Sequence, residues 1–280
     1  MRLEHALPAR AAVQRVAKHA EERELLDARF FSGKLGDAAD VVVKRAREGH
    51  GGYACLCNAH VFVTAARDRR VGQALSGASV VFPDGWPVAW LLRRLGAKTA
   101  ERVAGPDLMP LVFDRGRSAK LRHFLVGSTP EVLDKLTSRL HAQYPEAVIA
   151  GRDALPFGAA NKRQRKRLKR IRAAKPDIVW CALGAPSQEL WASRNSVRLA
   201  PAFVLAVGAA FEFVAETKRR APRWMQRVGL EWFHRLSSEP QRLAGRYVKT
   251  NTRFLLLAAK TLISRGRSAR RINRLRGTHI

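Results

Sequence analysis

At 280 residues and 46% hydrophobic composition, the chain can bury a full core in roughly one large or two modest domains. Its 52 Lys plus Arg against 23 Asp plus Glu leave +29, which predicts contact with phosphate, nucleic acid or an anionic membrane, or else reflects an Arg- and Ala-rich base composition. Neither a secretory leader nor a spanning helix is expected: residues 1–48 show no apolar core of roughly 7–15 residues, and Phe254–Ala259, the longest late apolar stretch, falls far short of roughly 20 residues.

In chain order, residues 1–30 carry helix formers such as Ala17, Lys18, Glu21 and Glu24 and predict a peripheral helical extension. Over residues 31–217 strand-like and helical patterns alternate. A run Tyr53–Cys57 breaks at Asn58 and leads into a helical pattern through Val61, Ala65 and Ala66. Ser79–Phe82 breaks at Pro83-Asp84-Gly85, and Pro87–Leu95 reads as the next helix, with Pro87 in its first turn. His123–Val126 breaks at Gly127-Ser128, and Ser128-Thr129-Pro130-Glu131 predicts a helix capped by Ser128 and running to about Tyr144. A strand near Ala147–Ala150, a loop with Pro156 and Gly158, a basic helix up to Ala174 and the run Ile178–Leu183 ending at Gly184-Ala185 follow, then Phe203–Val207 ending at Gly208.

Continuous apolar runs alternating with helices predict an α/β fold built on a parallel sheet. Open sheets of this kind bind ligands beyond the carboxyl ends of their strands, so the breaks are where chemistry is expected. From residue 218 to 280 the pattern changes to Arg- and aromatic-rich helices with a break at Pro240. This stretch holds 17 Lys or Arg and only Glu231 and Glu239 as acids, and predicts a basic helical appendage. A second basic cluster, Lys162 to Lys175, is either a solvated helix face or a phosphate-binding surface.

Cys55, Cys57 and Cys181 sit inside apolar runs without metal-ligand spacing, which predicts buried thiols in a reducing compartment. His50, His60, His123, His141 and His234 show no paired spacing either, so no metal is expected.

Asp84, between an apolar run and Gly85, is placed to take a proton from a hydroxyl nucleophile, or else caps the following helix. Asn58 either bonds a sugar or base edge or caps its own helix. The turn Leu183-Gly184-Ala185-Pro186-Ser187-Gln188-Glu189 can cradle a diphosphate at a helix start or serve as a plain connection. In Arg102-Val103-Ala104-Gly105-Pro106-Asp107 the arginine can clamp a phosphate across a Gly-Pro turn or pair with Asp107. Lys218 to Arg227 and Trp232-Phe233-His234-Arg235 combine guanidinium groups with aromatics, as suits lipid headgroups or a pyrophosphate. Nucleic acid is the competing ligand, although no zinc spacing, RNA-recognition signature or basic zipper is present.

These segments in this order, together with Val207-Gly208-Ala209-Ala210-Phe211, Arg220-Ala221-Pro222-x-Trp224-Met225-Gln226-Arg227-x-Gly229-Leu230-Glu231-Trp232 and Glu239-Pro240-x-Arg242-Leu243, strongly resemble the WecG/TagA/CpsF family of bacterial glycosyltransferases over roughly residues 50–250. The resemblance implies a Rossmann-like core of the glycosyltransferase E type. It implies inverting, metal-independent transfer of a hexose or N-acetylhexosamine from a UDP-sugar donor to a polyprenyl-diphosphate-linked saccharide acceptor in cell-surface polysaccharide biosynthesis. No cofactor is implied.

On this resemblance Asp84 is the general base, and Asn58, Gly85, Arg102, Asp107, Gly127, Gly184, Gln188 and Gly208 line the substrate site. Arg220, Arg223 and Arg227 engage the acceptor diphosphate and the membrane. The protein is expected in the cytoplasm, peripheral on the anionic inner face of the cell membrane, with self-association allowed and no nucleic acid as partner. Three residues depart from the family pattern: Leu56 stands where a threonine is common, Ser187 where lysine is common, and Glu212 where aspartate is usual. Two alternatives remain open, a non-catalytic nucleic-acid-binding protein and an inactive family member acting as a scaffold.

Overall fold

The apolar runs become strands because both of their faces are covered. Every residue of β3 (Tyr53–Cys57), β7 (Ile178–Ala182) and β8 (Phe203–Ala206) is buried. With β1 (Glu22–Leu25), β2 (Ala28–Phe31), β4 (Val80–Pro83), β5 (Arg122–Gly127) and β6 (Val148–Asp153) they form one eight-stranded sheet in the order β1-β2-β4-β3-β8-β7-β5-β6. Seven strands run parallel, and only β1 is antiparallel, at one edge. The structure, a computed structural model, describes residues 22–155, 164–238, 241, 245 and 249–264. The loop predicted around Pro156 and Gly158 and the break at Pro240 lie outside them.

Side chains alternate along each strand between two apolar layers. Tyr53, Cys55 and Cys57 of β3, Val179 and Cys181 of β7, and Val204 and Ala206 of β8 face one layer. That layer is closed by α2 (Ala59–Ala65), α3 (Arg69–Ser76), α4 (Trp86–Arg94), α7 (Gln164–Ala173) and α8 (Ser187–Leu199). Ala54, Leu56, Trp180, Phe203 and Leu205 face the other, closed by α1 (Leu35–Glu48), α5 (Gly105–Gly116), α6 (Pro130–Gln143) and α9 (Ala210–Val214). The result is an α/β sandwich on a largely parallel sheet, as the patterning predicts, and it is Rossmann-like, as the family resemblance implies.

Three local readings change. Residues 22–31 form a β-hairpin rather than helix. Leu26 and Asp27 take positive φ at the two-residue turn, and burial of Ala28 and Phe30 against the sheet edge outweighs helix propensity. Thr129, not Ser128, caps α6, accepting from the Val132 amide at 3.4 Å, because Ser128 is drawn away to donate to the Glu212 carboxylate at 3.0 Å. The Gly105-Pro106 pair is not a turn but the first turn of α5, where a proline lacking its amide hydrogen is tolerated.

The C-terminal part begins with α10 (Arg223–Arg227) and α11 (Glu231–Ser238) and continues as helical residues 249–264. The last run is not detached. Phe254 and Ala258 are buried in the first layer, Phe254 edge-on to Phe62 with ring centroids 5.3 Å apart.

Candidate active site

Parallel strands deliver their carboxyl ends to one edge, in the order β4, β3, β8, β7, β5. Along that edge stand Asp84, Asn58, Gly208, Gly184 and Gly127. Asp84 is fixed by its amide, which donates to the Cys57 carbonyl at 2.9 Å, and its side chain is partly exposed at the rim. It does not cap α4. Gly85 holds that position at φ 97°, a left-handed value that a side chain would strain, and its α-carbon faces Asn58. Asn58 itself caps α2, its Oδ1 accepting from the amides of His60 at 3.0 Å and Val61 at 3.1 Å.

Behind this rim lies a polar chain that the sequence motifs contain but do not single out. Gln188 is 2% exposed, and its Oε1 accepts from the Gly208 amide at 2.8 Å while its Nε2 donates to Glu189 Oε1 at 2.9 Å. The turn between β8 and α9 is thereby tied to the first turn of α8. Glu189 has no exposure, and its Oε2 has no hydrogen-bond partner among the described residues. Burial pushes its carboxyl up to about 7, opposed by the Gln188 hydrogen bond and reinforced by the nearby Asp84 charge. Around it, burial also pushes the thiols of Cys55, Cys57 and Cys181 well up, with Glu189 adding to each shift, so these are inert thiols. An acid beside a helix start reads in sequence as a surface dipole partner; only the packing reveals that Glu189 is internal.

Farther along the edge, Gly127 is required by crowding. A Cβ there would lie 2.3 Å from the Ala182 carbonyl oxygen, at φ 120°. Gly184 precedes a cis Ala185–Pro186 bond at the start of α8. Glu212, the departure from the usual aspartate, accepts from Ser128 and keeps a buried Oε2 without a partner among the described residues.

The predicted arginines converge differently. The Val103 amide donates to the Pro83 carbonyl at 2.8 Å, which sets Arg102 beside the end of β4. From there Arg102 reaches Asp107 at 2.8 Å and Glu231 at 2.6 Å. Arg220 grips both oxygens of Asp107, at 2.6 and 2.7 Å, and meets Glu231 at 3.5 Å. Four alternating charges thus close a ring, each side chain 20–24% exposed. Burial lowers the Arg220 pKa, but the carboxylates of Asp107 and Glu231 more than offset it, and the guanidinium stays above its usual value. Arg223 is exposed on α10, and the side chain of Arg227 lies outside those described.

Large apolar side chains of α4 and of the C-terminal part lie at the surface. Trp86, Trp224, Val228, Leu230, Trp232 and Phe233 are all exposed. Gly229 packs on Trp86, with its Cβ position 2.9 Å from the indole, so the C-terminal aromatics adjoin the rim of the core. No helix of the described residues is long and apolar enough to cross a membrane. A hollow of about 530 Å³ between α6 and β6, lined by Asp134, Thr137, Ser138, His141, Ile149, Gly151 and Arg152, contains none of the predicted site residues.

Comparison with known proteins decides among the chemistries this edge allows. Residues 23–268 match the model of the glycosyl transferase WecG/TagA/CpsF family. The chain belongs to that family. It is 31% identical over 186 residues, 66% of this chain and 71% of the relative, to an N-acetylglucosaminyldiphosphoundecaprenol N-acetyl-beta-D-mannosaminyltransferase of Bacillus subtilis (strain 168). It is 29% identical over 195 residues, 70% and 74% of the two chains, to the Bacillus spizizenii (strain ATCC 23059 / NRRL B-14472 / W23) protein of the same name. The WecG/TagA/CpsF match begins inside the β1–β2 hairpin and extends past the helical run 249–264, so it takes in both the sheet edge and the charge ring.

Proposed function

We propose that the protein moves an N-acetylhexosamine, N-acetylmannosamine in the first instance, from a UDP-sugar to a polyprenyl-diphosphate-linked saccharide at the inner membrane face. The observation that carries this reading is the family match across residues 23–268. The names of the two Bacillus relatives supply the sugar and the lipid-linked acceptor. Self-association remains compatible with this reading and is not needed for it.

In this mechanism Asp84 accepts the proton of the attacking acceptor hydroxyl. A hydroxyl is scarcely ionised near neutral pH, and a positioned carboxylate contributes about 10²–10⁴-fold to such a step. Attack from the face opposite the leaving UDP inverts the anomeric centre. The charge growing on the diphosphate is met, without a metal, by Arg102 and Arg220 and by amides at the start of α8, which Gln188 fixes relative to the Gly208 turn. Asn58, Gly85, Gly127 and Gly184 supply close-approach backbone along the same edge. The exposed aromatics and the basic C-terminal part hold the enzyme on anionic lipid, where each juxtamembrane Lys or Arg contributes about 1 kcal/mol.

The test is UDP release from UDP-N-acetylmannosamine in the presence of a short-chain polyprenyl-diphosphate-N-acetylglucosamine. Acceptor-dependent release is expected. Its absence with this and every other UDP-sugar offered would remove the reading.

A further inference from the structure

We propose that Glu231 is an internal stand-in for a substrate diphosphate: it occupies the guanidinium pair of Arg102 and Arg220, and an incoming diphosphate displaces it and frees the first turn of α11. The inference rests on the glycosyltransferase reading for the identity of the anion, not for the exchange itself.

The two acids of the ring are not equivalent. Asp107 receives three short bonds, two from Arg220 and one from Arg102, all between 2.6 and 2.8 Å. It stands in the first turn of α5, which is pressed against the sheet: a Cβ on Gly105 would meet the Val207 carbonyl oxygen at 2.6 Å. That turn cannot yield. Glu231 holds one short bond, to Arg102 at 2.6 Å, and one at the limit of bonding, to Arg220 at 3.5 Å. It begins a helix whose next two residues, Trp232 and Phe233, are 39% and 53% exposed. Asp107 is therefore the fixed member, holding both arginines in place, and Glu231 is the member that leaves.

Exchange also solves an electrostatic problem. Two partly buried guanidinium groups facing one carboxylate carry an uncompensated charge in the empty enzyme, and burying such a charge is costly. With Glu231 in place the ring is neutral. A diphosphate then takes the place of the Glu231 carboxylate at the same donors, so the arginines undergo little further desolvation, and the affinity is set by the difference between the two anions. Because α11 also carries Trp232 and Phe233, filling the site releases aromatic side chains next to the surface on which the lipid-linked substrate lies.

Inorganic pyrophosphate, titrated calorimetrically into the full chain, tests the exchange. Glu231→Gln removes the competing charge and is expected to bind pyrophosphate about tenfold more tightly than the parent. Glu231→Asp keeps the charge on a shorter stem and should tighten binding less, and thermal unfolding checks that both variants fold. If Glu231 merely props up the arginines, the sign reverses: a folded Glu231→Gln would bind pyrophosphate equally or more weakly, and the proposal is overturned. Should Glu231→Gln not fold, Glu231→Asp carries the same test, with unchanged or weaker binding overturning it. A parent protein that binds pyrophosphate in this pattern yet transfers no sugar would sink the glycosyltransferase reading and leave the exchange standing.

Discussion

In the layers packed on the sheet and within its strands, Glu189, His123 and three thiols are sealed from water and pushed toward their uncharged forms, whereas at the junction with the C-terminal part Arg102, Asp107, Arg220 and Glu231 keep about a fifth of their surface exposed and pair with one another. The difference follows from solvation. A side chain with no exposure cannot recover the hydration energy of an ion, so protonation or deprotonation is the cheaper route, while a half-sheltered group can keep its charge if a partner stands close. The core should therefore respond to pH and the junction to salt. Asp84 stands at the boundary of the two regions, partly exposed and near enough to Glu189 to reinforce its upward shift.

The largest expected effect falls on that boundary. Asp84→Asn should cost about 10²–10⁴-fold in turnover with the unfolding midpoint nearly unchanged. Steady-state UDP release and thermal unfolding together check it, and turnover within a few-fold of the parent would exclude the base role. Next comes the core. Trp180 has no exposure, stacks with Phe113 at 5.8 Å, and donates to His123 Nδ1 at 3.1 Å. Trp180→Ala leaves a large cavity and a buried acceptor without its donor, for about 3–5 kcal/mol in denaturant unfolding. A loss under 1 kcal/mol would mean the layer around it collapses to fill the space.

The same contrast explains what the sequence makes legible. Strands β3, β4, β5, β7 and β8 and the rim residues Asp84, Gly184 and Gly208 are readable because uninterrupted apolar runs that end at small or polar residues have one strong structural solution. The β1–β2 hairpin is not, since its polar sequence Glu22-Arg23-Glu24 favours helix locally and the deciding contacts, those of Ala28 and Phe30, are with strands distant in the chain. For Arg102 both alternatives, phosphate clamp and Asp107 partner, are open in the sequence. The ring realises the pairing, and the clamp role then depends on displacement of Glu231. Glu189 and Glu231 lie inside recognisable motifs, but whether an acid is buried, or which arginine across 129 residues it meets, is fixed by tertiary packing alone.

A titration experiment separates the regions at a middle scale. Glu189 ordinarily ionises near 4.5, and in the fold near 7, so the folded state holds the extra proton between these values. Stability from this group is full below pH 4.5 and is lost as pH rises to 7, by about 1.4 kcal/mol per unit and roughly 3 kcal/mol in all. His123 acts with the opposite sign: burial lowers it from 6.5 to about 3, so the unfolded state takes the proton first and stability is lost as pH falls below 6.5. Between pH 4.5 and 6.5 the two slopes oppose each other. Glu189→Gln imitates the protonated acid, so it should match the parent near pH 4.5 and exceed it progressively toward pH 7. A flat difference across that range, measured by urea unfolding, would show that Glu189 does not titrate there.

The smallest effect belongs to the junction and is identified by its salt dependence rather than its size. Asp107→Asn takes the fixed carboxylate out of the ring and leaves Arg102 and Arg220 with Glu231 alone. At 20–24% exposure water softens that loss, so the expected cost is about 1 kcal/mol at low ionic strength. Raising salt from 0.1 to 1 M shortens the screening length from about 10 to about 3 Å, comparable with the spacing of the ring itself, and should erase most of the difference between variant and parent. Trp180→Ala, whose cost is packing, should show no such convergence. If Asp107→Asn keeps its full deficit at 1 M salt, the ring acts through shape rather than charge, and an anion exchanging for Glu231 would lose its physical basis.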